Sequence, residues 1–148
     1  DIVNLFLYKP GEKLLVASST GRGFVVKTDE IFAQTKNGKQ VLNVKDDEEA
    51  VACCKVEGDH VAVIGENRKL LLFSLKEVPE MARGRGVILQ RYNQSNLGDI
   101  KTFNLDEGLN WQTGERTRTE TNIKAWLGKR AQSGKLAPKG FSRHNRFS

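Results

Sequence analysis

The chain has 148 residues, 38% hydrophobic and 28% charged, which is enough to build one globular domain with its own core. No apolar run approaches the roughly 20 residues of a membrane span, and no secretory h-region opens the chain. The net charge of +6 is unevenly spread: Glu115 to Ser148 holds nine Lys/Arg against two acids, a local +7, which leaves −1 for the other 114 residues.

That asymmetry favours a polyanionic partner for the C-terminal third. The chain starts at Asp1 rather than Met, which suggests a piece of a longer polypeptide. Cys53 and Cys54 are adjacent, so on a strand they point to opposite faces and cannot present a joint site. With no CxxC spacing and two histidines, the chain carries no metal signature, and the cysteines read as small buried apolar residues in a reducing compartment.

In chain order, the apolar runs are "LLVASS", "FVVK", "AVACCKV", "HVAVIG", "KLLLFSL" and "GVILQRY". Each is four to eight residues long, aliphatic or β-branched, and bounded by Gly, Asp or Asn, which is the signature of strands. None keeps a helical period. The pieces "TDEIFAQ", "LKEVPEM" and "NIKAWLG" each fit one helical turn between strands. Pro10-Gly11, Gly58-Asp59 and Asp106-Glu107-Gly108 read as hairpin turns.

The runs repeat. Val25 meets Leu72, Ile31 meets Val78, Lys39 meets Gly86 and Leu42 meets Leu89 at an offset of 47. A fainter third copy follows at an offset of 48, taking Val61-Ala62-Val63 to Leu109-Asn110-Trp111, Val78 to Trp126, Gly86 to Gly134 and Ile88 to Leu136. About four strands per repeat of 47–48 residues is the arithmetic of a propeller blade. The fold class expected is all-β, a β-propeller or β-pinwheel, with blade units near 1–48, 49–97 and 98–138 and a basic tail over 139–148. Three units make an open arc with exposed edges, so the expectation is part of a larger propeller.

Catalytic and cofactor signals are weak. "GRG" at Gly21–Gly23 lacks the spacing of a phosphate loop and reads as a tight turn with Arg22 projecting outward. "DDEE" at Asp46–Glu49 lacks the pattern of a calcium loop and reads as a solvated connection. Tyr8 and Tyr92 read as packing groups at strand ends, and His60 and His144 as isolated structural or surface groups. The reading is of a chain with no catalytic residue, metal or cofactor of its own and no small-molecule substrate.

The units "ASSTGRGFVVKTDEI…KNGKQVLNV" and "IGENRKLLLFSLKEV…RGRGVIL", with the ending "GERTRTETNIKAWLGKRAQSGKLAPKGFSRHNRF", resemble the C-terminal β-pinwheel of type IIA topoisomerase A subunits. In the gyrase branch of that family the pinwheel carries a seven-residue box, Q-R-R-G-G-(K/R)-G, used to wrap DNA. The corresponding loops here are "QTKNGKQ" (Gln34–Gln40), "MARGRGV" (Met81–Val87) and "RAQSGKL" (Arg130–Leu136), and none is the full box. The departure, with the basic ending, points to the topoisomerase IV branch and away from strong wrapping.

The resemblance implies a DNA-binding and DNA-bending module that steers DNA crossings to a catalytic core lying outside this chain. It implies three partners: double-stranded DNA, the rest of the A subunit, and the ATPase B subunit of a heterotetramer. It also implies a cytoplasmic, chromosome-associated location, with peripheral attachment to the inner membrane as a further implication. Repeated loops repeat their position, so Lys36 and Lys39, Arg83 and Arg85, and Arg130 and Lys135 are expected along one rim that follows a phosphate backbone, with glycines letting the main chain approach. Arg22, Arg68, Lys69, Arg91 and Lys129, with Lys139, Arg143 and Arg146 from the tail, complete the candidate DNA-binding set. Two alternatives stand beside this reading: a wrapping domain of the gyrase type, and a protein-interaction propeller whose basic rim meets acidic partners.

Overall fold

The computed structural model describes residues 11–29, 50–81, 84, 86–92, 94–113, 116–142 and 144–147. Among these described residues there are ten strands: β1 (Lys13–Ser18), β2 (Arg22–Lys27), β3 (Ala50–Lys55), β4 (His60–Gly65), β5 (Lys69–Ser74), β6 (Val87–Ile88), β7 (Leu97–Phe103), β8 (Leu109–Thr113), β9 (Arg116–Glu120) and β10 (Lys135–Leu136). They form two four-stranded antiparallel sheets, ordered β3-β1-β2-β6 and β10-β5-β4-β7, and a two-stranded sheet of β8 and β9. The architecture is the all-β, blade-built fold expected from the repeat.

The strand sequences explain the stacking. In the second sheet, Val61, Val63, Leu71 and Phe73 face the first blade and join Leu15, Ala17 and Val25 in one apolar cluster. The alternate residues Ala62, Ile64, Leu70 and Leu72 face the third blade and join Leu109, Trp111, Phe141 and Phe147 in a second cluster. A blade covered on both faces needs apolar residues at every position, which is why "HVAVIG" and "KLLLFS" are continuous runs and not alternating ones.

The second and third units each reach back to complete the preceding blade. After the short 3₁₀ turn Leu75–Glu77, the chain crosses to β2, where Met81 N–H donates to Val25 O at 2.8 Å. It then lays β6 on the start of β2, with Leu89 N–H donating to Gly21 O at 2.7 Å. The third unit repeats the path on β5. After the turn Lys124–Trp126, Gly128 N–H donates to Leu72 O and Ala137 N–H to Arg68 O, both at 2.8 Å. We call these returning segments straps. They divide the second and third blade units of the sequence reading, since one blade draws strands from successive units.

Two of the expected hairpin turns connect blades. Gly58-Asp59 carries the chain from β3 in the first sheet to β4 in the second, and Asp106–Gly108 carries it from β7 to β8. Pro10 lies outside the described residues. The hairpins of the first two blades lie at 19–21 and 66–68, where the sequence has Ser-Thr-Gly and Glu-Asn-Arg. "GVILQRY" forms a strand only at Val87–Ile88. The helical turns expected in "LKEVPEM" and "NIKAWLG" are present, and "TDEIFAQ" lies mostly outside the described residues.

The described residues of the basic tail expected over 139–148 are packed against the third blade. Phe141 and Phe147 are 4% and 3% exposed and pack with Trp111. Gln112 N–H donates to Phe147 O at 2.9 Å, which sets Phe147 beside β8 as Asp99 of β7 sits beside Ile64 of β4. The two phenylalanines of "GFSRHNRF" supply apolar area that its net positive charge conceals.

Candidate nucleic-acid interface

Arg22, Lys69 and Arg116 are the first residues of β2, β5 and β9, and each is 47 residues from the next. They occupy the same place on three successive blades, because β1 pairs with β2, β4 with β5 and β8 with β9 in the same antiparallel manner. Arg22 and Lys69 are half-buried and Arg116 is exposed. Half-burial of a long basic side chain covers its stem and leaves the charged end outward. Among the described residues, none of the three enters an ion pair. Their repeat makes a row of charge suited to a regular polyanion.

Sequence reasoning missed Arg116. Its signal was available: an offset of 47 from Lys69 and an Arg-Thr-Arg-Thr-Glu strand. The strand carries no apolar run, so only its pairing with β8 identifies it.

Two expected contact residues are committed to the fold. The Arg68 guanidinium donates to Ser142 O at 2.9 Å, to Asn145 Oδ1 at 3.1 Å and to Phe141 O at 3.5 Å. It therefore holds the C-terminal segment against the hairpin between β4 and β5. Arg130 donates from one guanidinium nitrogen to Ile88 O at 2.9 Å, while its backbone N–H donates to Glu77 Oε1 at 3.0 Å. It fastens the third unit's strap to the second's.

The other members are surface groups. Arg91, Lys129, Lys135, Lys139 and Arg146 are exposed. Arg146 also acts on the half-buried carboxylate of Asp99. Lys36, Lys39, Arg83, Arg85 and Arg143 lie outside the described residues, so of the expected rim only Arg130 and Lys135 of the third unit are described.

The strap glycines were expected to admit phosphate. A Cβ on Gly86 would stand 2.2 Å from Gly23 O, and one on Gly134 would stand 2.4 Å from Leu70 O. Both have positive φ, +76° and +81°. The main chain that approaches these glycines closely is the neighbouring strand, so their spacing of 48 residues reports strap docking.

The remaining chemistry is structural. His60 Nδ1 lies 2.9 Å from Asp59 Oδ1, and its ring packs on Phe103. The hydrogen bond from His60 holds the Asp59 carboxyl below its usual range. Burial raises the Cys54 thiol and the Tyr92 phenol far above their ordinary ranges, which opposes a thiolate or phenolate nucleophile. Tyr92 packs against Gly21 and Gly65. Among the described residues, no three His, Cys, Asp or Glu side chains come together to hold a metal. No helix among them is long and apolar enough to cross a membrane.

Against known families, the profile described as DNA gyrase C-terminal domain, beta-propeller, matches residues 12–53 and 59–107. The chain belongs to the DNA gyrase C-terminal domain family. It is 53% identical over 148 residues to the A subunit of DNA topoisomerase 4 from Rickettsia bellii and 46% identical over 147 residues to that from Caulobacter vibrioides. These alignments cover 100% and 99% of this chain but 20% and 19% of the relatives, so the chain spans about a fifth of their length. Among solved structures of this family, it is similar to the E. coli ParC C-terminal domain, with a TM-score of 0.73 and 22% identity over 92% of this chain and 59% of that one. It also resembles the DNA gyrase A C-terminal domain, with a TM-score of 0.66 and 14% identity over 93% of this chain and 47% of that one. The family's propeller fold is the one assembled here from strands and straps.

Proposed function

We propose that the chain is a duplex-DNA-binding and DNA-bending module from the A subunit of a type II topoisomerase of the topoisomerase IV kind. It lays DNA along successive blades and so presents DNA crossings to a catalytic core elsewhere in the protein. The observation that carries this reading is the basic residue at one repeated position, Arg22, Lys69 and Arg116. A row of single charges on a rigid curved scaffold favours phosphate contact over base reading. The binding is therefore sequence-tolerant and salt-sensitive, and curvature of the blade arc sets the bend. In the assembled enzyme the module works at the chromosome in the cytoplasm, beside an ATPase B subunit and the rest of its own A subunit.

The test is fluorescence anisotropy with a 30-base-pair duplex across a salt series. Two duplexes of unrelated sequence should bind with equal affinity, and log affinity should fall linearly with log salt. A strong preference for one sequence, or a salt-independent affinity, would contradict the proposal.

A further inference from the structure

We propose that the cleft between the third unit's strap and the second blade docks an acidic peptide segment through an aliphatic or aromatic anchor. The cleft has a volume of about 430 Å³ and lies among Leu71, Trp126, Leu127 and Gly134, with Arg91 and Lys135 at its edge. That volume is in the range of side-chain and small-ligand sites. Leu127 is 38% exposed, and Leu136, beside Lys135, is 68% exposed. The Trp126 indole N–H is already donated to Leu136 O at 2.8 Å, so its ring serves as an apolar wall.

Trp126 also packs against the second core cluster, but the exposed Leu127 is not required there by the blade. Leu127 bridges to Leu72 as Glu80 bridges to Val25, one repeat earlier. The second unit therefore has Pro79 and Glu80 where the third has Trp126 and Leu127, and Glu80 there lies 2.8 Å from Lys13 at the surface. Replacing a paired carboxylate with an exposed leucine gains the fold nothing. Exposed apolar groups gathered around a cleft mark a binding surface.

Charge selects the occupant. Arg91 and Lys135 line the cleft, exposed Lys124 and Lys129 flank the Trp126-Leu127 pair, and among the described residues no carboxylate lines it. An acidic segment matches the cations, and one apolar side chain matches Leu127 and the Trp126 ring. Duplex DNA would match the cations alone, since a phosphate backbone gains nothing from leucine.

The experiment uses the full chain and a labelled twelve-residue probe of glutamates and aspartates around one leucine and one phenylalanine. A second probe has serine at both anchor positions and the same charge. The anchored probe should bind at least fivefold more tightly than the serine probe. Leu127→Ser should remove that difference, and because Leu127 is a surface group the variant should keep the parent's unfolding transition. Binding of a 30-base-pair duplex should be unchanged within twofold in the same variant. Equal binding of the two probes would overturn the proposal, leaving general attraction to acids. Equal loss of probe and duplex in Leu127→Ser would also overturn it, assigning the cleft to the nucleic-acid surface.

Discussion

The backbone N–H of Phe147 donates to Asp99 Oδ2 at 2.9 Å, tying the C-terminal segment to β7, the strand that borders the second blade. Burial holds the Asp99 carboxyl above its usual range, against the opposing hydrogen bonds from Phe147 and Ile100 and the charges of Arg146 and Lys101. A carboxyl raised in the folded state stabilises most when protonated. Its contribution is full below the unfolded value of 3.8 and is lost as pH rises through the raised folded value. Asp99→Asn keeps an acceptor for Phe147 N–H and cannot ionise. The stability of the parent minus that of Asp99→Asn should therefore fall as pH rises from 4 to 7. Asp59 and Glu80 are lowered in both proteins and cancel in the difference. Urea unfolding at the two pH values measures it, and a difference that grows with pH would contradict the assignment.

Phe147 is 3% exposed and packs edge-on against Phe141, with ring centroids 5.6 Å apart. Removing its ring leaves a cavity in the second core cluster, so Phe147→Ala should cost about 3 kcal/mol. Lys139→Ala, on the same segment but exposed, should stay within about 0.5 kcal/mol. Denaturant midpoints compare the two. Equal small effects would mean that the segment is a free tail after all.

Gly134 tests strap docking. Its positive φ and its approach to Leu70 O leave no room for a methyl group, so Gly134→Ala should destabilise by at least about 2 kcal/mol. The neighbouring Lys135→Ala should leave stability within about 0.5 kcal/mol. A neutral Gly134→Ala would show that the strap does not seat on β5.

How much the sequence disclosed follows from what a repeat records. The offset of 47–48 and the apolar runs placed β1, β2, β3, β4 and β5 with a residue or two of error, because continuous local hydrophobicity marks a buried strand. Pairing between units left a weaker mark. Val87–Ile88 and Lys135–Leu136 are two-residue strands whose partners lie about 65 residues upstream, and nothing in their own sequence names those partners. The glycines before them, legible as loop glycines, answer to carbonyls of the preceding blade. Net charge concealed Phe141 and Phe147, and neither the loop repeat that placed Arg130 on the rim nor the sequence around Arg68 shows that their guanidinium groups bond backbone carbonyls. Arg116 was missed because β9 is polar along its length.

Arg68 separates a structural arginine from a contact arginine. Losing its bonds to Ser142 O and Asn145 Oδ1 should cost about 2 kcal/mol, since charged hydrogen bonds contribute more than neutral ones. Under conditions where Arg68→Ala remains folded, the salt slope of duplex binding should match the parent's. A slope lowered by about one would return Arg68 to the interface.

The most direct test of DNA laid along successive blades is the salt slope of the triple variant Arg22→Ala, Lys69→Ala and Arg116→Ala. The three residues are outside the apolar clusters, so circular dichroism and thermal unfolding should confirm a folded chain. If each side chain meets a phosphate, log affinity plotted against log salt should lose about 3 units of slope, close to one per lost contact. The loss should be the same for duplexes of unrelated sequence. A folded triple variant whose slope equals the parent's would contradict the account, because the repeated basic position would then be solvated surface and the DNA would lie elsewhere.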